Sequence, residues 1–368
     1  MKTFLDLITE VQNSGLCHHC GGCVTFCTAV NYGALKLNEK GMPEFVEKEK
    51  CIECGLCYSI CPEIDELESE TQQLVGWTPP IGRVIETHIA RAKDSVIRKR
   101  ATDGGVVTGI LVHLLERGHI DGAIVTKQVG PFQREPALAT TKQEIIESAG
   151  FYFDSSHGMK HFSGEYSTYS PSVQEFRPML QKGLRRVAIV GAPCQIKAVR
   201  RMETLGIVPS DTIKYCLGLF CSGNFMFKDE QKKQIEKISD IKWEDIHKVN
   251  IKENLMIHLK DGSLKRIPLD KLDFMKRFAC KYCNDYSSEY ADISFGGIGA
   301  SEGYTTVITR TPAGRAVFAD SKDNTLELFD YKSNPDCTKN ALNLIKQCSE
   351  KKQKNAMENR KNIVDANK

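Results

Sequence analysis

The chain has 368 residues, and its 50 lysines and arginines against 47 aspartates and glutamates leave a formal net charge of +3, too balanced for a protein built around a polyanion, so nucleic acid is not an expected partner. A composition of 41% hydrophobic and 26% charged residues excludes extended disorder for most of the chain and, at roughly 150 residues per domain, allows two or three globular units. No apolar run reaches the ~18 residues of a membrane-spanning helix, and MKTFLDLITE has acidic residues where a signal peptide would carry its apolar core, so a cytoplasmic chain is expected.

The unusual feature is cysteine. Fifteen are present, and eight of them fall between residues 17 and 61 at metal-ligand spacing, where an export signal and a disulfide framework are both missing. Cys17, Cys20, Cys23 and Cys27 recur 34 residues on as Cys51, Cys54, Cys57 and Cys61, and Gly21 recurs as Gly55. Each copy reads C-x2-C-x2-C-x3-C, the run that holds cubane iron-sulfur clusters in bacterial-type ferredoxins, where the fourth cysteine of one run ligates the other cluster. On that rule one 4Fe-4S cluster takes Cys17, Cys20, Cys23 and Cys61, and the second takes Cys51, Cys54, Cys57 and Cys27. Three thiolates two residues apart wrap one face of a cube, and the fourth has to arrive from another segment. Structural zinc is the weaker reading, because zinc sites pair C-x2-C knuckles rather than runs of four. The first copy has Thr28 where the second has Pro62, a difference in rigidity and not in ligation. His18 and His19 lie inside the first loop, either bonding to cluster sulfurs or simply exposed.

A double-cluster ferredoxin-like domain over 1–64 is therefore expected, followed by a linker over 65–82, where EIDELESETQQ is polar and Pro79-Pro80 forces a turning path. VIETHIARA (84–92) predicts a strand. A helix follows, with Thr102 or Asp103 as N-cap, apolar positions at Val106, Val107, Ile110, Leu111, Leu114 and Leu115, and Gly118 as its stop. Asp103-Gly104-Gly105 at its start leaves bare N–H groups that an anion or a flavin edge can approach, although most such pairs are simple turns. Val187 to Val190 predicts a short buried strand, with Cys194 in the first turn of a helix running through Arg201. IKYCLGLFCSG (213–223) reads as a strand, 228–238 as a polar helix, and VNIKENLMIHLKDGSLKRIPL as a hairpin turning at Asp261-Gly262. Cys280 and Cys283 stand in C-x2-C spacing before another strand that ends in Gly296-Gly297-Ile298-Gly299. A last strand, a helix entered at Thr311-Pro312 and a Lys/Asn-rich helix or tail beyond 339, read as a solvated face, complete the chain.

The fold class is mixed α/β, without a G-x-G-x-x-G or a G-x4-G-K-[ST], so classical dinucleotide and P-loop folds are disfavoured. Cys194, Cys221, Cys280 and Cys283 stand at predicted strand ends, where sites form in α/β sheets. They either hold one further cluster or are small core hydrophobes with an incidental C-x2-C pair. Cys216, Cys337 and Cys348 read as structural.

TDGGVVT (102–108), VGAPCQ (190–195), LGLFCSG (217–223) and CKYCNDYSSEYADISFGGIG (280–299) together resemble the beta subunits of the coenzyme F420 hydrogenase/dehydrogenase family. The N-terminal double-cluster module makes the chain most similar to the input subunit of the F420H2 dehydrogenase. The resemblance implies an FAD-binding and F420-binding domain over 83–325; residues 326–368 are expected to form a C-terminal helical tail. It implies a third 4Fe-4S cluster on the residues matching Cys194, Cys221, Cys280 and Cys283. Thr102, Gly104, Gly105 and Thr108, with Gly296, Gly297 and Gly299 behind them, are the expected flavin contacts; the basic run Arg98-Lys99-Arg100 is either a phosphate contact or a solvated face.

Reduced coenzyme F420 delivers two electrons as a hydride, whereas each cluster takes one, and a flavin converts between them. The expected route runs from F420H2 to FAD, the third cluster, the N-terminal pair and a partner protein, or in reverse. That partner is a membrane dehydrogenase complex, a hydrogenase, a heterodisulfide reductase or a ferredoxin, so a chain without a membrane span can still sit on the cytoplasmic face of a membrane. No catalytic acid or base is named. The rivals are a non-enzymatic polyferredoxin and an FAD/iron-sulfur reductase of the same family acting on another substrate.

Overall fold

A computed structural model of the chain describes residues 1–29, 33–38, 41–130, 133–150, 179, 182–207, 210–225, 229–252 and 254–366. The duplication is visible in the backbone. Helix α1 (Phe4–Leu7), capped by Thr3 and Asp6, leads into the first cysteine loop, after which come α2 (Gly22–Ala29), the antiparallel pair β1 (Leu35–Leu37) and β2 (Pro43–Phe45), and α3 (Leu56–Ser59) after the second loop. Gly21 and Gly55 both take a left-handed φ, +76° and +72°, directly before α2 and α3. So do His19 and Glu53, at +51° and +55°, which are also 34 residues apart. Non-glycine residues seldom adopt this region, and its occurrence twice at one repeat position means that each run bends around its own centre.

Helix α4 (Glu68–Val75) occupies the middle of the 65–82 segment, with Thr71 and Val75 buried. Next come β3 (Glu86–Ala92), α5 (Ser95–Arg100), α6 (Val106–Glu116), β4 (Gly122–Gly130), β5 (Gln133–Ala139), α7 (Lys142–Glu147), β6 (Val187–Gly191), α8 (Pro193–Thr204) and β7 (Ile213–Leu219). The predicted strand over 213–223 thus stops at Leu219; Phe220 N still donates to the Phe295 carbonyl at 2.7 Å, and from Cys221 onward the chain turns away. Helix α9 (Asp229–Ser239) precedes β8 (Ile246–Ile251), β9 (Asn254–Leu259) and β10 (Leu264–Pro268). These three strands form an antiparallel sheet with its own core, so the expected hairpin is a three-stranded meander with Asp261-Gly262 at its second turn. The chain closes with β11 (Ile293–Gly296), β12 (Thr305–Thr309), α10 (Pro312–Asn324), β13 (Leu326–Leu328) and α11 (Cys337–Ala366). Thr311 caps α10, accepting from Gly314 N at 3.1 Å, with Pro312 at the first position.

Eight strands make one mixed sheet in the order β13-β3-β12-β11-β7-β6-β4-β5, and its centre, β11, β7, β6 and β4, is parallel. Central strands such as VAIVG are apolar on both faces because both are covered. On one side α6 and α10 pack over Ala188, Leu217, Phe295 and Val307. On the other, α8 packs with Phe26, Ile60 and Val75 over Ile124, Val187 and Ile189, so the cysteine-rich module shares a hydrophobic core with the sheet. Among the described residues no helix is long and apolar enough to cross a membrane.

Helix α11 is the expected C-terminal helix, but it is not simply the solvated face that its composition suggests. Ala341, Ile345, Ser349 and Ala356 are buried along one side of it, against the sheet and the loops after β7 and β10.

Candidate functional site

The fold gathers twelve cysteines into three sets. One cavity is walled by Cys17, Cys20, Cys23 and Cys61 together with Leu7 and Val11; another by Cys27, Cys51, Cys54 and Cys57 together with Phe4 and Phe26. Each draws three cysteines from one run and one from the other. The third set shows in the charges acting on Cys194, which are those of Cys20, Cys283, Cys221 and Cys280. Cys194 comes from the first turn of α8, Cys221 from the loop after β7, and Cys280 and Cys283 from the 3-10 turn Phe278–Lys281 and the residues after it. Cys20 links this set to the first, and Cys57, acting on Cys23, links the first to the second.

The donor chemistry of these sets suits iron-sulfur clusters. Burial pushes the Cys17 and Cys57 thiols up to about 12, and drives Cys23, Cys61 and Cys194 well above the ordinary thiol value, with neighbouring cysteines adding to it. Such thiols ionise only when a cation takes the place of the proton. Among the described residues no three His, Cys, Asp or Glu side chains close around a single metal ion; in a cubane each thiolate takes its own iron.

His18 joins the first set to the third. It is buried, its Nε2 lies 2.5 Å from Glu63 Oε1, and it is hydrogen-bonded to Cys280. Burial alone would lower its pKa, but Glu63 and Cys280 hold it well above the usual imidazole value. Cys280 is conversely held at about 7: burial would raise it, and the bond and charge of His18, with Arg277, prevail. Asn224 N donates to Cys280 Sγ at 3.3 Å, and Arg277 Nη1 donates to the His18 carbonyl at 2.8 Å. The alternative of an exposed loop histidine therefore fails for His18, while His19 is half-buried, its pKa depressed to about 3 by burial and then by Arg277.

Beside the third set lies a cavity of about 220 Å³ at the carboxyl ends of β6, β7 and β11, where ligands bind in open α/β sheets. Thr102, Gly105, Thr108, Gly296 and Gly297 line it, and Cys221 stands in its wall. Gly105, at φ +75°, starts α6 there, and Val106, Val107 and Thr108 of its first turn line the cavity. Phe220 and Tyr286 form one side, ring centroids 6.0 Å apart. Gly296 is required because a Cβ would fall 2.1 Å from the Phe220 ring, and Gly297 because one would lie 2.7 Å from the Asp103 carboxylate.

The remaining expected contacts lie elsewhere. Gly104 N donates to Thr305 Oγ1 at 3.0 Å, and a Cβ on Gly104 would meet the Ala90 carbonyl. Gly299 makes room for Ala341 of α11. In the basic run, Arg98 Nη1 donates to the carbonyls of Ala92 and Lys93, at 2.7 and 2.6 Å, and Arg100 Nη2 to that of Glu147 at 3.4 Å. Among the polar residues of the cavity that sequence reasoning did not name as contacts are Gln195, Asn250 and Lys252. Gln195 adjoins Cys194 and caps α8 through Ala192 N at 2.8 Å, whereas Asn250 bonds Asp103 at 2.9 Å from β8, far along the chain. Only the first carried a local signal.

Three four-cysteine sets in line with a cleft at the carboxyl edge of a parallel sheet define an α/β iron-sulfur protein. Residues 9–62 match the family described as a 4Fe-4S dicluster domain. Residues 87–163 and 184–333 match the N-terminal and C-terminal parts of the coenzyme F420 hydrogenase/dehydrogenase beta subunit. Coenzyme F420 hydrogenase subunit beta of Methanothermobacter thermautotrophicus is 30% identical over 285 residues, which is 76% of this chain and 95% of that protein. One of the subunits of the F(420)H(2) dehydrogenase of Methanosarcina mazei is 29% identical over 329 residues, 86% of this chain and 85% of the relative. Among solved structures, the F420-reducing NiFe hydrogenase complex from Methanosarcina barkeri contains a chain that superposes with a TM-score of 0.66 at 26% identity, covering 77% of this chain and 93% of that one. The chain belongs to the coenzyme F420 hydrogenase/dehydrogenase family of beta subunits, and its named relatives are subunits of oxidoreductases.

Proposed function

We propose that this chain is the electron-input subunit of a coenzyme F420-dependent oxidoreductase. It binds FAD in the cleft of residues 83–325, exchanges a hydride with F420, and passes single electrons through Cys194/Cys221/Cys280/Cys283 to the two clusters of residues 1–64. Residues 65–82 connect the two parts; the helical tail expected over 326–368 is corrected at its start, where Leu326–Leu328 is a strand of the large sheet, and the helix runs over Cys337–Ala366. A bound flavin supplies the conversion between a two-electron donor and one-electron centres. The chain's own residues do the rest. The amino end of α6 at Gly105 and the hydroxyls of Thr102 and Thr108 receive polar and anionic groups of the cofactor. Gly297 leaves its backbone bare to the cleft, and Phe220 and Tyr286 keep water from that wall. The partner that completes the circuit is a protein: a membrane dehydrogenase complex, a hydrogenase, a heterodisulfide reductase or a ferredoxin, with the chain on the cytoplasmic side.

The observation that carries this reading is Cys221, which belongs at once to the wall of the cleft and to the third cysteine set. An anaerobic preparation assayed for iron, labile sulfide and flavin is expected to yield about twelve irons and one FAD per chain. Rapid mixing with F420H2 should then bleach the flavin. A preparation with clusters and no flavin would make the chain a polyferredoxin; a flavin reduced by other donors and untouched by F420H2 would give the family another substrate here.

A further inference from the structure

Helix α11 buries a stripe with helical spacing: Ala341, Ile345, Ser349 and Ala356. Lys352 falls in the same stripe. The stem of Lys352 is partly exposed, but its ammonium turns inward and lies inside the protein, donating to the carbonyls of Cys221 and Asp285, each at 2.7 Å. Two further α11 side chains reach the same loops. Asn359 Nδ2 donates to the Lys281 carbonyl at 2.8 Å, and Arg360 Nη2 to the Tyr282 carbonyl at 3.1 Å and to Glu63 Oε2 at 2.7 Å. Every one of these carbonyls belongs to a residue of the third cysteine set, or to one between or just beyond its members.

A buried ammonium held by two neutral carbonyls is a poor arrangement unless an anion lies near. No carboxylate side chain among the described residues forms an ion pair with Lys352. The negative groups acting on it are Cys283, Cys221 and Cys280, and after them Asp285. Four thiolates around a cubane are a net anion, and each electron added makes that anion larger. A fixed positive charge in a low-dielectric surround favours the reduced form. The other charged groups facing the set are His18 and Arg277 on Cys280, both from loops that themselves belong to the cysteine sites. Lys352, by contrast, comes from an element that supplies no cysteine ligand, as does Arg360, whose charge is taken up by Glu63.

We infer that Lys352 is a potential-setting residue of the third centre: carried in by α11, it raises the reduction potential of the cluster on Cys194, Cys221, Cys280 and Cys283, so that the relay nearest the cleft accepts electrons readily. This rests on the reading of those four cysteines as cluster ligands.

The test uses the full chain prepared anaerobically as wild type, Lys352→Met, Lys352→Gln and Lys352→Arg, with iron counted and each cluster titrated by electron paramagnetic resonance. The two neutral variants are expected to lower the midpoint of the third centre by at least a tenfold change in its oxidised-to-reduced ratio, about 59 mV for one electron. The other two centres should stay put, and Lys352→Arg should recover most of the shift. Gln retains a donor for the carbonyls, so it separates lost charge from a lost hydrogen bond should Met disturb the loops. A third centre that keeps its wild-type midpoint in either neutral variant, at full iron content, overturns the inference. A wild-type protein with about eight irons and no third signal removes the cluster reading itself, and this inference with it.

Discussion

Arg201→Met tests whether the cysteine-rich module is held to the sheet by α8. Arg201 has no exposed side-chain surface; its Nη2 lies 2.7 Å from Glu68 Oε2 and its Nη1 donates to the Cys61 carbonyl. Glu68 is also paired with Lys197 at 2.6 Å and bonded by Tyr290. Burial would raise the Glu68 carboxyl, but Lys197, Tyr290 and Arg201 hold it at about 2. Methionine fills much of the same space without charge. Removing one partner of a buried pair costs about 3–5 kcal/mol when the other is stranded. Glu68 is not stranded, since it keeps Lys197 and is 27% exposed, so most of the loss comes from the Cys61 carbonyl and the fork itself. The expected cost is about 2–3 kcal/mol. Anaerobic urea unfolding followed through the visible absorption of the clusters reads this as an earlier loss of the N-terminal signal, with Arg201→Lys intermediate because a single ammonium cannot satisfy both acceptors. A loss below about 0.5 kcal/mol, the range of an ordinary surface change, would mean that apolar packing of Phe26, Ile60 and Val75 docks the module without the ion pair.

Four further outcomes are expected. Cys61→Ser should abolish the resonance signal of the centre served by Cys17, Cys20 and Cys23, and Cys27→Ser that of the other; loss of the same signal in both variants would refute the crossed sets. Gly297→Ala, whose methyl meets the Asp103 carboxylate at 2.7 Å, should lower the FAD content of the folded protein, and a wild-type flavin count would remove Gly297 from the cofactor site. Gly218→Ala drives a Cβ to 2.0 Å from Ser288 Oγ and 2.8 Å from the Ala291 Cβ, so its destabilisation should reach or exceed the roughly 1–3 kcal/mol of overpacking; calorimetry checks it. Burial, and then the charge of Asp285, lift Glu289 to about 8, so the folded state holds this proton more tightly than the unfolded chain does. Its contribution is full below about pH 4.5 and is lost as pH rises toward 8. Glu289→Gln should therefore melt progressively higher relative to wild type between pH 5.5 and 8, and parallel melting curves would count against a buried, protonated Glu289.

Cysteine spacing made the two N-terminal runs legible because cluster ligation is a local constraint: three thiolates must wrap one cube within seven residues of chain. Gly21 and Gly55, the strand at Val187, the apolar period after Val106 and the helix entered at Thr311 were readable for the same reason, since turns, caps and apolar periods act over a few residues. The cap expected at Thr102 or Asp103 instead falls at Gly105, whose left-handed backbone starts the helix without a side-chain bond. Tertiary structure decided what depends on residues far apart. Cys194, Cys221 and the Cys280–Cys283 pair gave two readings from spacing alone, because only folding brings a helix start, a strand end and a loop to one point. The glycine-rich run after β11 looked uniform, yet Gly296 serves Phe220, Gly297 the cleft and Gly299 the packing of α11. Helix α11 has a polar composition, and Lys352 is one of many lysines in it. A charged side chain turns inward only where a countercharge and acceptors wait, and those sit 67 and 131 residues earlier in the chain, beyond the reach of any local pattern.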